Sequence, residues 1–397
     1  MEIIKKRKTG VIIVISISTI LVFASILFAN VFLATLDFTG PLIQMVTSDG
    51  FRVVWWYPSA EEGFVQVSCR DDNTLMSFDA HKKNSRFEAQ ATGLLPGLTY
   101  DYKIFINDSK GEKIFWEEGT TKTAGQESDP FSFMVFGDSG GGKQKQYQLA
   151  GVMKDYPVDL ILHVGDLVYP SGEIKDYRNK FFMPYKDILQ TTPFYPILGN
   201  HDVKTKNGKP FLYTFSLPNN GPIGIEPERC YWFSYSNALF VGIDSNLNED
   251  ILEELVSPWL LNVLNSSDAR WKFVYFHHPP YSSGPHDGSK VIRDVLVPVI
   301  EEGDVDIVFC GHDHHYERTL PILNGRIDDG SGVVYIVTGA GGKSLRSIKH
   351  ENPYSATINC ESYSFTHLEI DGTILKLKQI NEQDESIDEY RIGKDAF

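Results

Sequence analysis

The fold class the sequence predicts is α/β, preceded by a smaller β-sandwich and, ahead of that, one membrane-length apolar segment. Three observations predict it. Residues 131–397 alternate β-rich apolar runs with helical patterns, residues 40–123 break into short alternating runs between Gly, Pro and Asn turns, and Val11–Leu36 carries no charge. At about 150 residues per domain, 397 residues suffice for two to three folding units. A composition of 42% apolar and 22% charged residues excludes disordered, collagen-like and disulfide-scaffold classes.

The first element, residues 1–37, is a basic tip followed by an anchor. Lys5, Lys6, Arg7 and Lys8 precede Val11–Leu36, which as a helix extends roughly 39 Å at ~1.5 Å per residue. The hydrocarbon core of a bilayer is about 30 Å thick, so the segment is expected to span it with tilt. A cleavable signal has a shorter apolar core and a small-residue cleavage site, and the alternative to an anchor is secretion after such cleavage. In both readings the positive-inside tendency leaves the basic tip in the cytoplasm and puts the folded part outside it.

The second element, residues 40–123, shows strand-like runs at Phe51–Trp56, Phe64–Ser68 and Tyr100–Phe105, spaced by turns as in a sandwich. It contains no metal-ligand or catalytic cluster and reads as a spacer or packing module. Thr121–Pro130 is polar and aperiodic, the expected linker. In the third element, 131–397, strands are expected at Phe131–Phe136, Leu160–Val164, Ala238–Ile243, Trp271–Phe276 and Val305–Cys310, with further strands at Gly332–Val337, Ser364–Ile370 and Thr373–Ile380. Helices are expected at Gln144–Lys154, Asp250–Leu264 and Lys290–Glu302.

Lys and Arg total 37 against 52 Asp and Glu, a formal charge of −15. That sign excludes nucleic acid as a general partner, because backbone phosphates are gripped by cations. The four cysteines, Cys69, Cys230, Cys310 and Cys360, form no CxxC and indicate neither a zinc module nor a dense disulfide framework.

Four predicted strands run straight into ligand-type residues: Phe136 into Gly137-Asp138, Val164 into Gly165-Asp166, Phe276 into His277, and Cys310 into Gly311-His312. A fifth turn, Gly199 to Asp202, follows the apolar run Phe194–Leu198. Open α/β sheets bind ligands beyond the carboxyl ends of their strands, so five such turns imply one site. The glycines sit where a sharp turn or close backbone approach favours a residue without Cβ. Seven of eleven histidines (His201, His277, His278, His286, His312, His314, His315) lie in or beside these turns, whereas His163 lies within an apolar strand and reads as structural. Any one of these features is an ordinary turn, cap or surface histidine; their order and placement together point to a site.

These turns resemble those of the calcineurin-like metallophosphoesterases and, within them, the purple acid phosphatases, whose pattern is GDxG, GDxxY, GNH(D/E), VxxH and GHxH. All five occur in order, at Gly137–Gly140, Gly165–Tyr169, Gly199–Asp202, Val274–His277 and Gly311–His314. The Tyr316-Glu317-Arg318 extension, the His277–Tyr281 stretch and the Gly339–Gly342 turn are similar to that family too. The passage Pro96–Tyr100 and the opening Gly40-Pro41 resemble the fibronectin type III-like domain of plant-type members. The resemblance covers roughly everything after residue 40 and implies a four-layer α/β/β/α metallophosphoesterase domain behind that sandwich.

Carried over by motif, the resemblance implies two metal ions. Asp138, Asp166, Tyr169 and His314 would hold the first, and Asp166, Asn200, His277 and His312 the second, with Asp166 bridging. Oxygen and imidazole donors without thiolate suit Fe, Zn or Mn. A tyrosine phenolate favours iron(III) in the first position and would colour the protein; the partner would be divalent Zn, Fe or Mn. Iron(III) with a divalent ion brings five positive charges against three from Asp138, Asp166 and a Tyr169 phenolate. The remaining two attract a phosphate ester to one spot on an acidic protein.

The expected activity is that of a phosphomonoesterase, an acid phosphatase in which metal-bound hydroxide attacks the ester in line. His201 is the first candidate to protonate the leaving group or orient the phosphate, and His286 the second. His278 and His315 adjoin ligands and read either as supports of them or as simple packing, and Asp202 is expected to orient His201. Two other readings stand beside this one. The same metal site on phosphodiesters or nucleotide pyrophosphates differs only in the pocket loops. An adhesive ectodomain with an inert phosphatase fold conflicts with the filling of every expected ligand position.

Overall fold

The computed structural model describes residues 36, 39–71, 74–108, 110–328 and 330–395. Apart from Leu36, the expected anchor lies outside these residues, and among the described residues no helix is long and apolar enough to cross a membrane.

The first unit is seven antiparallel strands: β1 (Thr39–Thr47), β2 (Gly50–Trp56), β3 (Glu62–Cys69), β4 (Leu75–Lys83), β5 (Arg86–Thr92), β6 (Thr99–Asn107) and β7 (Lys113–Lys122). Their order is β1-β2-β5-β4-β3-β6-β7. One strand joins the two halves: Leu75–Asp79 of β4 pair with β3, while Ala80–Lys83 pair with β5. Alternate residues of β3 and β6 point inward, so Val65, Val67, Tyr100, Tyr102, Ile104 and Ile106 are buried with Phe51, Trp55 and Phe87. The expected linker is more ordered than its polarity suggested. β7 runs to Lys122, and Thr123 and Ala124 are buried because their N–H groups donate to Leu98 and Thr47. Only the stretch after them is a turn.

The second unit contains β8 (Phe131–Phe136), β9 (Leu160–His163), β10 (Phe194–Pro196), β11 (Tyr231–Tyr235), β12 (Ala238–Gly242), β13 (Trp271–Tyr275), β14 (Ile307–Cys310), β15 (Tyr316–Thr319), the small pair β16 (Ile322–Leu323) and β17 (Arg326–Ile327), β18 (Val334–Thr338), β19 (Ser355–Asn359), β20 (Ser364–Asp371), β21 (Ile374–Asn381) and β22 (Ser386–Gly393). One sheet has the order β10-β9-β8-β20-β21-β22 and the other β11-β12-β13-β14-β18-β15-β19. Strands β8, β9 and β10 are mutually parallel, as are β12, β13, β14 and β18.

The sheets meet through aromatic rings. Phe133 of β8 packs edge-on against Phe240 of β12 and Phe273 of β13, with ring centroids 5.2 and 5.1 Å apart. The intervening residues Val241, Val274 and Val308 turn the other way, into a cluster with Leu260 and Leu264 of helix Ser257–Asn265 and Ile292 and Ile300 of helices Lys290–Val295 and Val297–Glu302. On the outer side of the first sheet, Phe136 meets Tyr185 of helix Met183–Leu189. The result is helix, sheet, sheet, helix. The helix expected at Asp250–Leu264 is interrupted by a π-helical turn at Leu252–Val256, and the pattern at Lys290–Glu302 is two helices that meet at Leu296 before Pro298.

The sandwich is fastened to the second unit through polar groups with no access to water. Gln44 is fully buried; its amide donates to Phe194 O at 3.1 Å and accepts from Ser216 N at 2.7 Å. Tyr102 Oη donates to Gln190 O at 2.6 Å, and Trp56 packs on Phe182. The expected packing role fits this interface.

Candidate metal centre

Strands β8, β9 and β10 of one sheet and β13 and β14 of the other end at the same edge of the molecule, and all seven candidate ligands lie on or just beyond the turns that follow them. Three of these side chains sit on strained backbone. Asp138, Asp166 and His312 have φ of 55°, 57° and 70°, a left-handed conformation that costs a non-glycine residue about 1–3 kcal/mol and is concentrated at functional sites. Each follows a glycine. The close approach is measurable at Gly199, where a Cβ would stand 2.1 Å from Asp166 N, and at Gly311, where it would stand 2.5 Å from an Asp138 carboxylate oxygen.

The donors form two groups. Tyr169 Oη lies 2.9 Å from Asp138 Oδ1 and 3.0 Å from His314 Nε2, and that Nε2 is 3.4 Å from Asp138 Oδ1. Asn200 Oδ1 lies 3.0 Å from His277 Nε2 and 2.9 Å from His312 Nδ1. Asp166 lies between them: donor atoms of Asp138, Asp166 and His277 are all within 4.8 Å of one another, and Asp166 Oδ1 is 3.5 Å from His277 Nε2. Asp138, Asp166, Tyr169, His277 and His314 are buried, whereas Asn200 and His312 are half-buried, so the site opens over the second group.

The tautomers match a cation site. His277 Nδ1 donates to Val164 O at 2.8 Å and His314 Nδ1 to Ser344 O at 2.7 Å, so in each neutral ring the Nε2 lone pair faces inward. Lone pairs of His277 Nε2 and Asn200 Oδ1 then meet at 3.0 Å with no hydrogen to share, an arrangement that a cation between them satisfies. The electrostatics agree. Burial alone would lower His277 and His314, but Asp166 and Asp138 outweigh it for His277, and the Asp138 hydrogen bond does so for His314, so both are raised: the carboxylates favour positive charge at these two Nε2 positions, whether a proton or a cation on the lone pairs. Burial would raise Asp138, yet the hydrogen bond from His314 and the nearby His277 and His312 imidazoles bring it below the ordinary carboxylate range. The seven side chains therefore fit a pair of cations.

The two proton-transfer candidates flank this bed. The His201 ring is 4.3 Å from that of Tyr169; its Nδ1 donates to Pro170 O at 2.6 Å, leaving Nε2 3.9 Å from Asp166 Oδ2. On the opposite side the His286 ring lies 4.0 Å from His312, and its Nδ1 donates to Asp313 Oδ1 at 2.6 Å. Asp313 is fully buried and also accepts from Ser282 Oγ at 2.6 Å, so it fixes the imidazole.

Three expectations need correction or completion. Asp202 does not orient His201. Its carboxylate accepts from Gly199 N at 2.9 Å, Leu167 N at 3.2 Å and Val168 N at 3.3 Å, tying the Asp166 turn to the Asn200 turn, since the short buried side chain reaches backbone N–H groups before it reaches the ring. Burial and the neighbouring Asp166 charge raise it to about 7. His278 supports the second group: it packs at 4.6 Å on His312 and bonds Ser245 Oγ, and burial lowers it to about 3, keeping it neutral. His315 turns away and bonds Glu317 at 2.9 Å. His163 is structural as expected, but it also holds Ser139 Oγ at 2.9 Å, next to Asp138.

The sequence reading passed over Lys204, Lys343 and Arg346. Lys204 Nζ lies 3.0 Å from His201 Nδ1, Lys343 Nζ is 4.6 Å from the centre of the Tyr169 ring, and Arg346 Nη1 is 3.1 Å from His286 Nε2. No motif marks them; the available signal was the scarcity of cations in so acidic a chain. A cavity of about 1310 Å³ at the opposite ends of β12 and β13, lined by Asn220, Trp232, Trp259 and Lys394, contains none of the candidate side chains.

Residues 131–316 match the family described as calcineurin-like phosphoesterase, and residues 332–389 the one described as iron/zinc purple acid phosphatase-like protein C. "Fe(3+)-Zn(2+) purple acid phosphatase 12" of Arabidopsis thaliana is 24% identical over 361 residues, covering 80% of this chain and 75% of that protein. "Probable inactive purple acid phosphatase 27" of the same plant is 23% identical over 326 residues, 70% of this chain; the chain spans only about half of it, 53%. Among solved structures, a purple acid phosphatase isolated from yellow lupin (Lupinus luteus) seeds superposes with a TM-score of 0.80 at 20% identity, over 89% of this chain and 74% of that one. At that identity the likeness establishes the fold.

Proposed function

Because residues 131–316 belong to the calcineurin-like phosphoesterases and are followed by the purple acid phosphatase-like carboxy-terminal region, we propose that the chain is a dinuclear-metal phosphomonoesterase. The observation that carries the proposal is the meeting of two donor groups, Asp138–Tyr169–His314 and Asn200–His277–His312, on either side of Asp166. We assign the first group with Asp166 to iron(III) and the second with Asp166 to a divalent ion, zinc in the named plant relative. The ferric assignment rests on Tyr169. Burial and the Asp138 and Asp166 charges raise its phenol well above the ordinary tyrosine value, so only a strongly charged cation beside it makes it a phenolate.

When bound, two such ions would supply an acidified water as nucleophile and positive charge for the phosphoryl oxygens. The protein's own groups do the rest. Asp138, Asp166 and His312 fix the donor geometry through their strained turns, and Asp202 keeps the second and third turns in register. His201, held through Pro170 O, presents Nε2 to the bed, where it orients the phosphate or, in its imidazolium form, donates a proton to the leaving oxygen. His286, held by Asp313, is the second candidate, donating only in its imidazolium form. Metal-loaded protein is expected to hydrolyse p-nitrophenyl phosphate faster than its bis-ester; faster turnover of the bis-ester would replace this reading with the phosphodiesterase one.

We extend the proposal to an exported enzyme tethered by its amino-terminal segment, supported by the four basic residues ahead of the uncharged stretch Val11–Leu36. Protection of the folded part from protease added to the cytoplasmic side of sealed vesicles is the expected result, and digestion there would refute the orientation.

A further inference from the structure

We propose, resting on the phosphatase reading above, that Lys343 and Arg346 form an anion subsite for a second phosphate group of the substrate. The preferred substrates are then compounds carrying two or more phosphates, from which a terminal phosphoryl group is removed.

Both cations stand on a segment that the candidate centre itself holds in place. Gly341 N donates to Gly137 O at 3.0 Å, Lys343 N to Asp138 O at 2.8 Å, and Arg346 N to His314 O at 3.1 Å, while Ser344 O accepts from His314 Nδ1. The side chains then part. Lys343 lies over Tyr169 in the first donor group, and Arg346 lies against His286, whose ring rests on His312 in the second. A molecule seated across both groups has one cation on each side.

Neither cation is held in an ion pair among the described residues. Lys343 and Arg346 are half-buried, and among the described residues neither comes within 4.0 Å of a carboxylate oxygen, whereas Arg229, Arg318 and Lys394 each hold a carboxylate. Half-burying positive charge without a paired carboxylate is unfavourable, and Lys143 and Lys180 add further positive charge near Lys343. In a chain of net charge −15, such a concentration of positive charge around Lys343 and Arg346 is stabilised by an anionic ligand.

Charge selects the class of that ligand. Two ions with Asp138, Asp166 and a Tyr169 phenolate leave about two positive charges, and about one once a hydroxide is bound, so a single phosphate dianion fully neutralises them. Lys343 and Arg346 then remain, matching a second phosphate. Guanidinium and ammonium donors suit phosphate oxygens through charge-assisted hydrogen bonds.

The test compares metal-loaded full-length protein with Lys343→Gln, Arg346→Gln and the double variant, on inorganic pyrophosphate and on p-nitrophenyl phosphate. The ratio of kcat/KM for pyrophosphate to that for the nitrophenyl ester is expected to fall about tenfold in each single variant and at least about thirtyfold in the double one, mainly through KM. Lys343→Arg and Arg346→Lys should keep the ratio within about threefold. In a separate binding readout, the double variant should lose affinity for methylenediphosphonate while its affinity for orthophosphate falls less. Equal losses on both substrates, or an unchanged ratio, would overturn the subsite, because the cations would then serve the transferred phosphate, His286, or neither. Wild-type protein inert towards both substrates would instead strike at the phosphatase reading, and the diphosphonate titration would still decide the subsite.

Discussion

Asp166→Ala is expected to lower kcat/KM for p-nitrophenyl phosphate by at least about 10³-fold, roughly 4 kcal/mol of transition-state stabilisation, and to reduce bound metal from two ions per chain to one or none. The expectation follows from position. Asp166 is buried between the two donor groups, 3.5 Å from His277 Nε2, and its Oδ1 also accepts from His201 N at 2.7 Å. Its loss removes the shared oxygen donor and releases the turn that carries Asn200 and His201, so both proposed ions and one proton-transfer group are affected together. Metal analysis alongside the assay separates this from unfolding: the variant should keep its cooperative thermal transition. A variant that retained near-normal turnover would refute the shared-carboxylate site.

The largest effect on stability is expected at Asp388, on β22. Its carboxylate accepts from Arg318 Nε at 2.7 Å and Arg318 Nη2 at 3.1 Å, from Tyr316 Oη at 2.7 Å and from Thr357 Oγ1 at 3.1 Å, and both side chains of the ion pair are buried. It thereby joins the last hairpin to β15, the strand that continues from His312 and His314. Asp388→Asn leaves Arg318 without its counter-charge, which in a buried pair costs about 3–5 kcal/mol, or roughly 10 °C of Tm in a domain of this size. The pH dependence has a definite sign. Burial alone would raise the Asp388 pKa, but the Arg318 and Tyr316 hydrogen bonds prevail and hold it below the ordinary carboxylate value. The contribution is therefore complete above the unfolded pKa of about 4 and is lost as pH falls through the lower folded value. In melting curves, the gap between wild type and Asp388→Asn should be full at neutral pH and close in strong acid; a gap that widens in acid would contradict the assignment.

The turns that bear the candidate ligands were legible because two simple signals coincide there. An apolar β run ends, and a glycine followed by Asp, Asn or His begins. Strand β8 was read at Phe131–Phe136 because both of its faces are covered, which makes every residue of the run but Ser132 apolar. Other features depend on partners far away in sequence. Nothing local to Asp202 announces that its carboxylate will bond Leu167 and Val168, and nothing near Lys343 says that it will lie over Tyr169. Short strands such as β15 and β19 were missed since their partly polar residues become strand only by pairing with each other and with β18. Helix Met183–Leu189 was missed for a related reason: it continues a π-helical turn at Arg178–Phe182, which breaks the regular helical period.

The most direct test of the account is the metal content of purified full-length protein measured together with its visible spectrum. The account predicts two metal ions per chain, one of them iron, and a phenolate-to-iron absorption band that Tyr169→Phe abolishes. Protein that turns over p-nitrophenyl phosphate with a single ion, or that keeps the band in Tyr169→Phe, would contradict it.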